Sequence, residues 1–411
     1  MPSKDASMGE CYISRLPIEL LAVILEEHSV LELQAPFIDS QVCRRWHEAT
    51  RIWPRVWSYI TMRLMAEDEI PIKPFKAILE RSGNSLLHVN LYYPDSFTLP
   101  GTNAKLLFQP PTIARIQILL LKGRAPVDIS WTEDMPNLRI LQLKDCYWGG
   151  SNTLLLGAKS FPLLDELVLH RTRFLPSVAL GSPVLLRTIS FYCIRNMGWV
   201  KILSECRETL VEVFLSGCSL PPPARIHLPN LKFLALSHML DFRNDIIAPC
   251  LITFHEYLEH LAPLKLPFTF SSITEYACQL TSPSIGDEPL LAERVLPELE
   301  RFVLWGTWSG IRGVLRELVS HLHALPKLNT IELAVDDGEN LSDTQWAELE
   351  KLVVDTPLSS ILKRPTDSEA SYTCLCFSLV RGLPVIVIHI LIPPLDTLVS
   401  HQNLNSITSI W

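Results

Sequence analysis

One spacing dominates this chain: an apolar residue, two others, an apolar residue, one other, and a third apolar residue. It occurs at Leu86/Val89/Leu91, Ile116/Leu119/Leu121, Leu138/Leu141/Leu143 and Leu164/Leu167/Leu169. It continues at Leu186/Ile189/Phe191, Leu210/Val213/Leu215 and Leu231/Leu234/Leu236. Weaker copies stand at Leu251/Phe254 and Ile273/Tyr276/Cys278, and clear ones return at Leu299/Phe302/Leu304 and Leu328/Ile331/Leu333. Successive copies start 30, 22, 26, 22, 24, 21, 20, 22, 26 and 29 residues apart. The second and third apolar positions alternate as one face of a strand does. No single strand can bury such a row, so the units must stack on their neighbours to share one elongated core.

Pro136, Pro229, Pro249, Pro297 and Pro326 stand two residues before the first apolar position of their copies and punctuate the entry into each strand. The spacing resembles the leucine-rich repeat, whose units run about 20–29 residues. That resemblance implies a solenoid with a curved parallel sheet on its concave face. Between strands the chain is too short and too rich in proline for a long helix in every repeat. Mixed short helices, 3-10 turns and loops are expected there instead. Cys146 and Cys218 fall three residues after the third apolar position of their copies. In this repeat class an Asn or Cys there satisfies backbone groups at the turn, so both are expected as buried structural thiols.

A different pattern occupies the first sixty residues. Leu16-Pro17-Ile18-Glu19-Leu20-Leu21 predicts a helix start, with Pro17 at the first helical position and Glu19 near the positive end of the dipole. Leu16, Leu20 and Ile24 share a face, while Leu21, Val23 and Leu25 point elsewhere, so the helix is more apolar all round than one small core can bury. A second helix is predicted from Asp39 to about Arg51, with Asp39 or Ser40 as N-cap and Trp53-Pro54 as its stop. A short helix carrying Val56, Trp57 and Ile60 is expected to close the unit. Some 45 residues make a marginal core. No metal cluster or cysteine pair is there to staple it, so the surplus apolar surface wants a protein partner.

Leu16-Pro17-x-Glu19-Leu20, Ile24-Leu25, Ser40-Gln41-Val42-Cys43-Arg44-Arg45-Trp46, Pro54-x-x-Trp57 and Ile60 together resemble the F-box, most closely the form abundant in mushroom-forming fungi. Pro36 departs from the family's middle segment and leaves the length of the middle helix open. The resemblance implies a three-helix module that docks on the Skp-family adaptor of a cullin-RING ubiquitin ligase. By position, Leu16, Pro17, Leu20, Ile24, Val42, Cys43 and Trp46 would carry that docking or its supporting core.

The expected class is therefore α/β: a small three-helix F-box followed by an irregular leucine-rich-repeat solenoid with a curved parallel sheet. The expected organisation is a disordered N-terminus over 1–13, the F-box over 14–62 and a connector with a short helix over 63–84. The repeats follow over 85–340, with a C-terminal cap or uncertain tail over 341–411. Residues between the repeat leucines should point out of the open face of the sheet. Among them Gln142, Lys144, His170, Tyr192, Phe214 and Trp305 are the candidate target-binding residues, on a surface low in charge that contains several aromatics.

Bulk properties exclude several classes. At 48% hydrophobic and 19% charged the chain should fold over most of its length. A formal net charge of −8 argues against a broad nucleic-acid footprint, which needs clustered Lys and Arg. Residues 1–10 lack an apolar core followed by a cleavage site, so a cytoplasmic or nuclear location is expected, with reduced cysteines. Leu383 to Ile392 is too short for a membrane helix and is expected as a buried strand. His255 and His260 are five apart, which breaks the i, i+4 geometry of a zinc-protease helix. Cys374 and Cys376 would point to opposite faces of a strand. With no phosphate loop, nucleophile elbow or zinc-finger spacing, neither a metal nor a cofactor is expected, and the chain is expected to be non-catalytic. The function implied is the substrate-recognition subunit of a Skp-cullin-F-box (SCF) ligase in ubiquitin-dependent protein degradation. The alternative is a repeat scaffold acting outside any ligase.

Overall fold

The computed structural model describes residues 15–31, 33–63, 71–93, 102–123, 134–146, 155–172, 177–178, 184–194, 199–218, 226–237, 246–258, 272–280, 296–335, 342–354, 356, 375–380 and 383–384. The protein divides into two units. One runs to Pro221 and takes in Ile226–Leu228, and the other comprises Pro222–Arg225 and the chain from Pro229. The whole is mixed α/β, built on parallel strands laid side by side.

The first unit opens with α1 (Ile18–Leu31), α2 (Ala35–Asp39) and α3 (Arg44–Ile52). The Pro17 carbonyl accepts from the Leu21 amide, so Pro17 stands at the cap and Ile18 takes the first helical position. Pro36 sits in the first turn of the five-residue α2, where its missing N–H costs nothing. The third helix begins at Arg44, not at Asp39 as the sequence suggested. The Asp39 carboxyl is buried and turned toward His28 Nδ1 (3.0 and 3.1 Å), so it is not free to cap the helix, and Cys43 enters it in extended backbone. Trp53 ends α3 ahead of Pro54, as the pre-proline restriction requires. A 3-10 turn over Pro54–Trp57 follows. Ile60, expected on a helix, instead lies on the first strand, β1 (Tyr59–Arg63).

From there α4 (Ile72–Arg81) leads to β2 (Leu87–Tyr93), and α5 (Thr102–Leu107) and α6 (Pro110–Ile113) lead to β3 (Ile116–Gly123). Then come β4 (Ile140–Lys144), the two-residue β5 (Leu155–Leu156), β6 (Glu166–His170), the two-residue β7 (Ser177–Val178) and β8 (Thr188–Tyr192). The helix α7 (Trp199–Glu205) precedes β9 (Glu212–Ser216), and β10 (Ile226–His227) completes the unit. The order β1-β2-β3-β4-β6-β8-β9 is parallel throughout. Its register puts the repeat positions on one line: Ile60, Val89, Leu119, Leu141, Leu167, Ile189 and Val213 are matched across neighbours. Met62, Leu91, Leu121, Leu143, Leu169, Phe191 and Leu215 form the second line, and both lines are buried. A register shift between Leu87 and His88 puts Leu87 opposite Ile116, so Leu87 fills the core and Leu86 stays 39% exposed.

The strands β4, β6, β8 and β9 each end in the same left-handed turn. Asp145, Arg171, Cys193 and Gly217 have φ of 55°, 50°, 54° and 58°. The amides of the first three donate to His170, Tyr192 and Ser216 on the next strand. Glycine takes this backbone without a Cβ penalty, and the other three accept a small strain for that hydrogen bond. The next residue turns inward. Cys146 Sγ lies 3.3 Å from the carbonyls of Leu121 and Lys144, and Cys218 Sγ lies 3.4 and 3.5 Å from those of Phe191 and Ser216. Both thiols are buried, as the repeat pattern predicts.

The second unit contains β11 (Phe233–Ser237), β12 (Ile246–Ile247), β13 (Thr253–Leu258), β14 (Glu275–Leu280), β15 (Arg301–Gly306) and β16 (Thr330–Val335). Of these β11-β13-β14-β15-β16 are parallel neighbours. Between β15 and β16 lies α8 (Trp308–His321), a helix of 14 residues and longer than the short connections expected. After β16, α9 (Asp343–Val353) starts on a capping box in which Ser342 and Gln345 bond reciprocally. It is tied to α8 through Glu348, which accepts from Trp308 Nε1 (3.2 Å) and Arg312 (3.1 Å). Finally β17 (Leu375–Val380) runs antiparallel to β16 along the last edge of the sheet. Of the apolar run from Leu383, only Leu383 and Pro384 are described, as a short strand. Residues 1–10, Cys374 and His260 lie outside the described residues.

Candidate functional site

Two surfaces of the first unit gather the candidate residues. The first is the helical segment before β1. Leu21, Ala22, Leu25 and Ser29 of α1 face inward, with Ala35, Ala49, Val56 and Trp57 completing a small core. Trp57 Nε1 donates to the Thr50 carbonyl at 2.7 Å, its ring meets Phe37 edge-on at 4.9 Å, and the Arg81 guanidinium covers it at 4.6 Å. Glu26 accepts from the Tyr59 hydroxyl (2.8 Å) and pairs with Arg55 (2.9 Å), joining α1 to the first strand. Burial first, and Glu26 second, push the Tyr59 hydroxyl up to about 12.

The opposite face of α1 is apolar too. Leu20 (53%), Val23, Ile24 (47%) and Leu31 (82%) are exposed there, at the three-, four- and seven-residue separations that share one helix face. Ile38, Val42 and Ile52 add exposed apolar groups from the other elements. Among the described residues, eight of the fifteen exposed large hydrophobics lie between Leu20 and Ile52. Isolated exposed apolar residues are ordinary, but a concentration of this kind marks an interaction surface.

The seven residues expected to serve docking fall on this segment as follows. Pro17, Leu20, Ile24, Val42 and Cys43 are exposed, while Leu16 and Trp46 are half-buried. Arg45 donates to the Leu16 carbonyl, which brings the entry of α3 against the entry of α1. Val23, expected to point elsewhere, is exposed beside Leu20 and Ile24, three residues beyond the first on the same helix face; Leu31, Ile38 and Ile52 were not singled out from the sequence. The signal for Leu31 was present, because it lies seven residues beyond Ile24 on the same stripe.

The second surface is the open face of the parallel sheet. Gln142 and Phe214 lie on its middle row, and Lys144, His170 and Tyr192 on the row at the strand ends. These five occupy consecutive strands. Trp305 lies on β15, in the second unit. Not every middle-row residue is exposed: Ser190 is buried, being small beside Val168 and Phe214. The row at the strand starts turns acidic toward β9. There burial, helped by Asp165 and Glu212, raises the Glu166 carboxyl above its ordinary range.

No group of His, Cys, Asp or Glu among the described residues is placed to hold a metal ion. No helix among them is long and apolar enough to cross a membrane. The chain matches no family model, and no curated protein matches it either.

Proposed function

We propose that this protein is a substrate-recognition subunit of a Skp-cullin-F-box type ubiquitin ligase. Residues 14–62 act as the F-box and dock on the Skp-family adaptor, and the leucine-rich repeats hold a target protein. One observation carries the reading: the helical segment with the F-box-like residues keeps an apolar stripe, Leu20, Val23, Ile24 and Leu31, outside its own core. Covering a fully exposed side chain of this size is worth about 1.5–3 kcal/mol, so a partner that buried the stripe would gain several such increments. The underside of the segment is joined to the sheet through Glu26, Tyr59 and Arg55. A partner on the stripe would thus be held on the same body as the open face of β1–β9.

Such a subunit works by proximity. It holds the target beside the transferring enzyme, so that a bimolecular encounter becomes effectively intramolecular. Bond-making falls to other subunits, and this chain supplies two binding surfaces. The test is co-purification of the full chain with a fungal Skp-family adaptor and its cullin. Recovery of a stoichiometric complex supports the reading. A folded chain that recovers neither protein makes the repeat domain a scaffold outside any ligase.

A further inference from the structure

The turns that close β8 and β9 place two thiols side by side. Tyr192 and Ser216 are matched across the two strands, so Cys193 comes opposite Gly217 and one residue short of Cys218. The Cys193 amide donates to the Ser216 carbonyl at 2.6 Å, and Cys218 Sγ lies 3.5 Å from the same oxygen. From there Cys218 reaches back toward β8. Its sulfur is 3.4 Å from the Phe191 carbonyl, and the Ile194 amide donates to it. These contacts fall on the backbone to either side of Cys193. Cys193 in turn lies over Gly217, its sulfur 3.2 Å from where a Cβ of Gly217 would stand. A side chain at 217 would crowd that space, and glycine leaves it open.

The separation suits a covalent bond. Strands ~4.8 Å apart with a rise of ~3.3 Å per residue put the two Cα atoms about 6 Å from each other. Disulfides span about 4.4–6.8 Å between Cα atoms. The two thiols differ in access, since Cys193 is exposed and Cys218 is buried. Cys146 provides a contrast within the same fold. It fills the place of Cys218 in an earlier repeat, but there Gly123 stands where Cys193 would be, so no thiol faces it.

We propose that Cys193 and Cys218 are a redox pair that small disulfides convert to an intramolecular disulfide, Cys193 capturing the reagent and Cys218 resolving it. With glutathione disulfide, the Cys193 thiolate attacks one sulfur, the glutathione S–S bond breaks, and one glutathione leaves as its thiolate. Cys218 then gives up its proton, turns off the Phe191 and Ser216 carbonyls and attacks Cys193 Sγ. The second glutathione leaves as its thiolate, and the Cys193–Cys218 bond remains. Two protein thiols are oxidised, one glutathione disulfide is reduced to two glutathiones, and the two protons pass to the released thiolates. Burial keeps external reagents from Cys218. It does not keep away a disulfide already seated on Cys193, where attack is intramolecular. The bond ties the turn after β8 to the turn after β9, beside Tyr192 on the open face. The inference is independent of the ligase reading.

The experiment is incubation of the reduced full chain with glutathione disulfide, trapping of the remaining thiols with N-ethylmaleimide in denaturant, digestion without reductant, and mass spectrometry. Wild type should yield a peptide pair joined by Cys193 and Cys218. In Cys218→Ser the glutathione on Cys193 should persist at least about tenfold longer than in wild type, for want of a resolving thiol. Cys193→Ser changes an exposed site and leaves the core intact. In that variant Cys218 should stay a free thiol. Equal persistence of glutathione in wild type and Cys218→Ser, a free Cys218 in oxidised wild type, or a disulfide of Cys218 in Cys193→Ser would each overturn the proposal.

Discussion

The hydroxyl of Tyr276 donates to Oε2 of Glu256 at 2.7 Å, inside a row that is otherwise Leu236, Cys278, Leu304 and Leu333. Glu256 is 1% exposed, and Tyr276 is buried between Phe254 and Phe302, whose rings stack on it at 5.6 and 5.3 Å. A carboxyl has thus replaced the third apolar residue of one repeat, and the aromatic of the next repeat supplies a hydroxyl to it.

Removing that hydroxyl should be costly, because losing a buried hydrogen bond to a carboxyl costs about 1–3 kcal/mol. Tyr276→Phe is expected to lower stability by that amount in urea unfolding. Glu256→Leu combined with Tyr276→Phe should recover most of the loss, since replacing both partners by apolar groups is close to neutral. A double variant as unstable as the sum of its singles would show that the pair does not act as a unit.

Two carboxyls on the sheet should shift stability with pH in opposite senses. His255 at 3.6 Å and Arg301 at 3.0 Å hold Glu275 below the ordinary carboxyl range, against the effect of its burial. Its contribution is therefore present above about pH 4.3, the usual unfolded value, and is lost as pH falls through the lower folded value. Glu166 is raised by burial, so its charge costs stability at neutral pH and that cost vanishes as pH falls through its folded value. Thermal melts should show Glu275→Gln below wild type at pH 7 and converging with it in acid. Glu166→Gln should be at or above wild type at pH 7.

Thiol reactivity should follow the turn geometry. Burial pushes Cys146 up to about 12 and Cys218 up to about 11, and Cys206 likewise to about 12. The thiolate is the reactive form, so all three should resist iodoacetamide in the native protein at pH 8. The exposed Cys43, Cys193 and Cys250 should be alkylated first. Mass spectrometry of the digested protein reads this directly. Labelling of Cys146 at the rate of Cys193 would contradict the packing described.

The repeats were legible because their second and third apolar positions are set by strand alternation, and every one of the eleven copies carries a strand. The twelfth was hidden. Trp57, Ile60 and Met62 have the same spacing and are all buried, but the aromatic in first position and the proline turn ahead of it read as the end of a helical unit. The late start of α3 had no local signal, because Asp39 is an excellent cap by type and is diverted by His28 from another helix. On α1 the excess of apolar residues was visible. Which face stayed outside depended on where α2, α3 and Trp57 packed, and that is a tertiary fact.

The most direct test of the central claim is isothermal titration of the full chain with a fungal Skp-family adaptor, wild type beside Leu20→Asp and Ile24→Asp. Both residues lie half outside the core, so the variants should keep the wild-type melting temperature. The account predicts binding by wild type and a loss of about 2 kcal/mol or more, roughly thirtyfold, in each variant. A folded wild type that does not bind, or variants that bind as well as wild type, would contradict it.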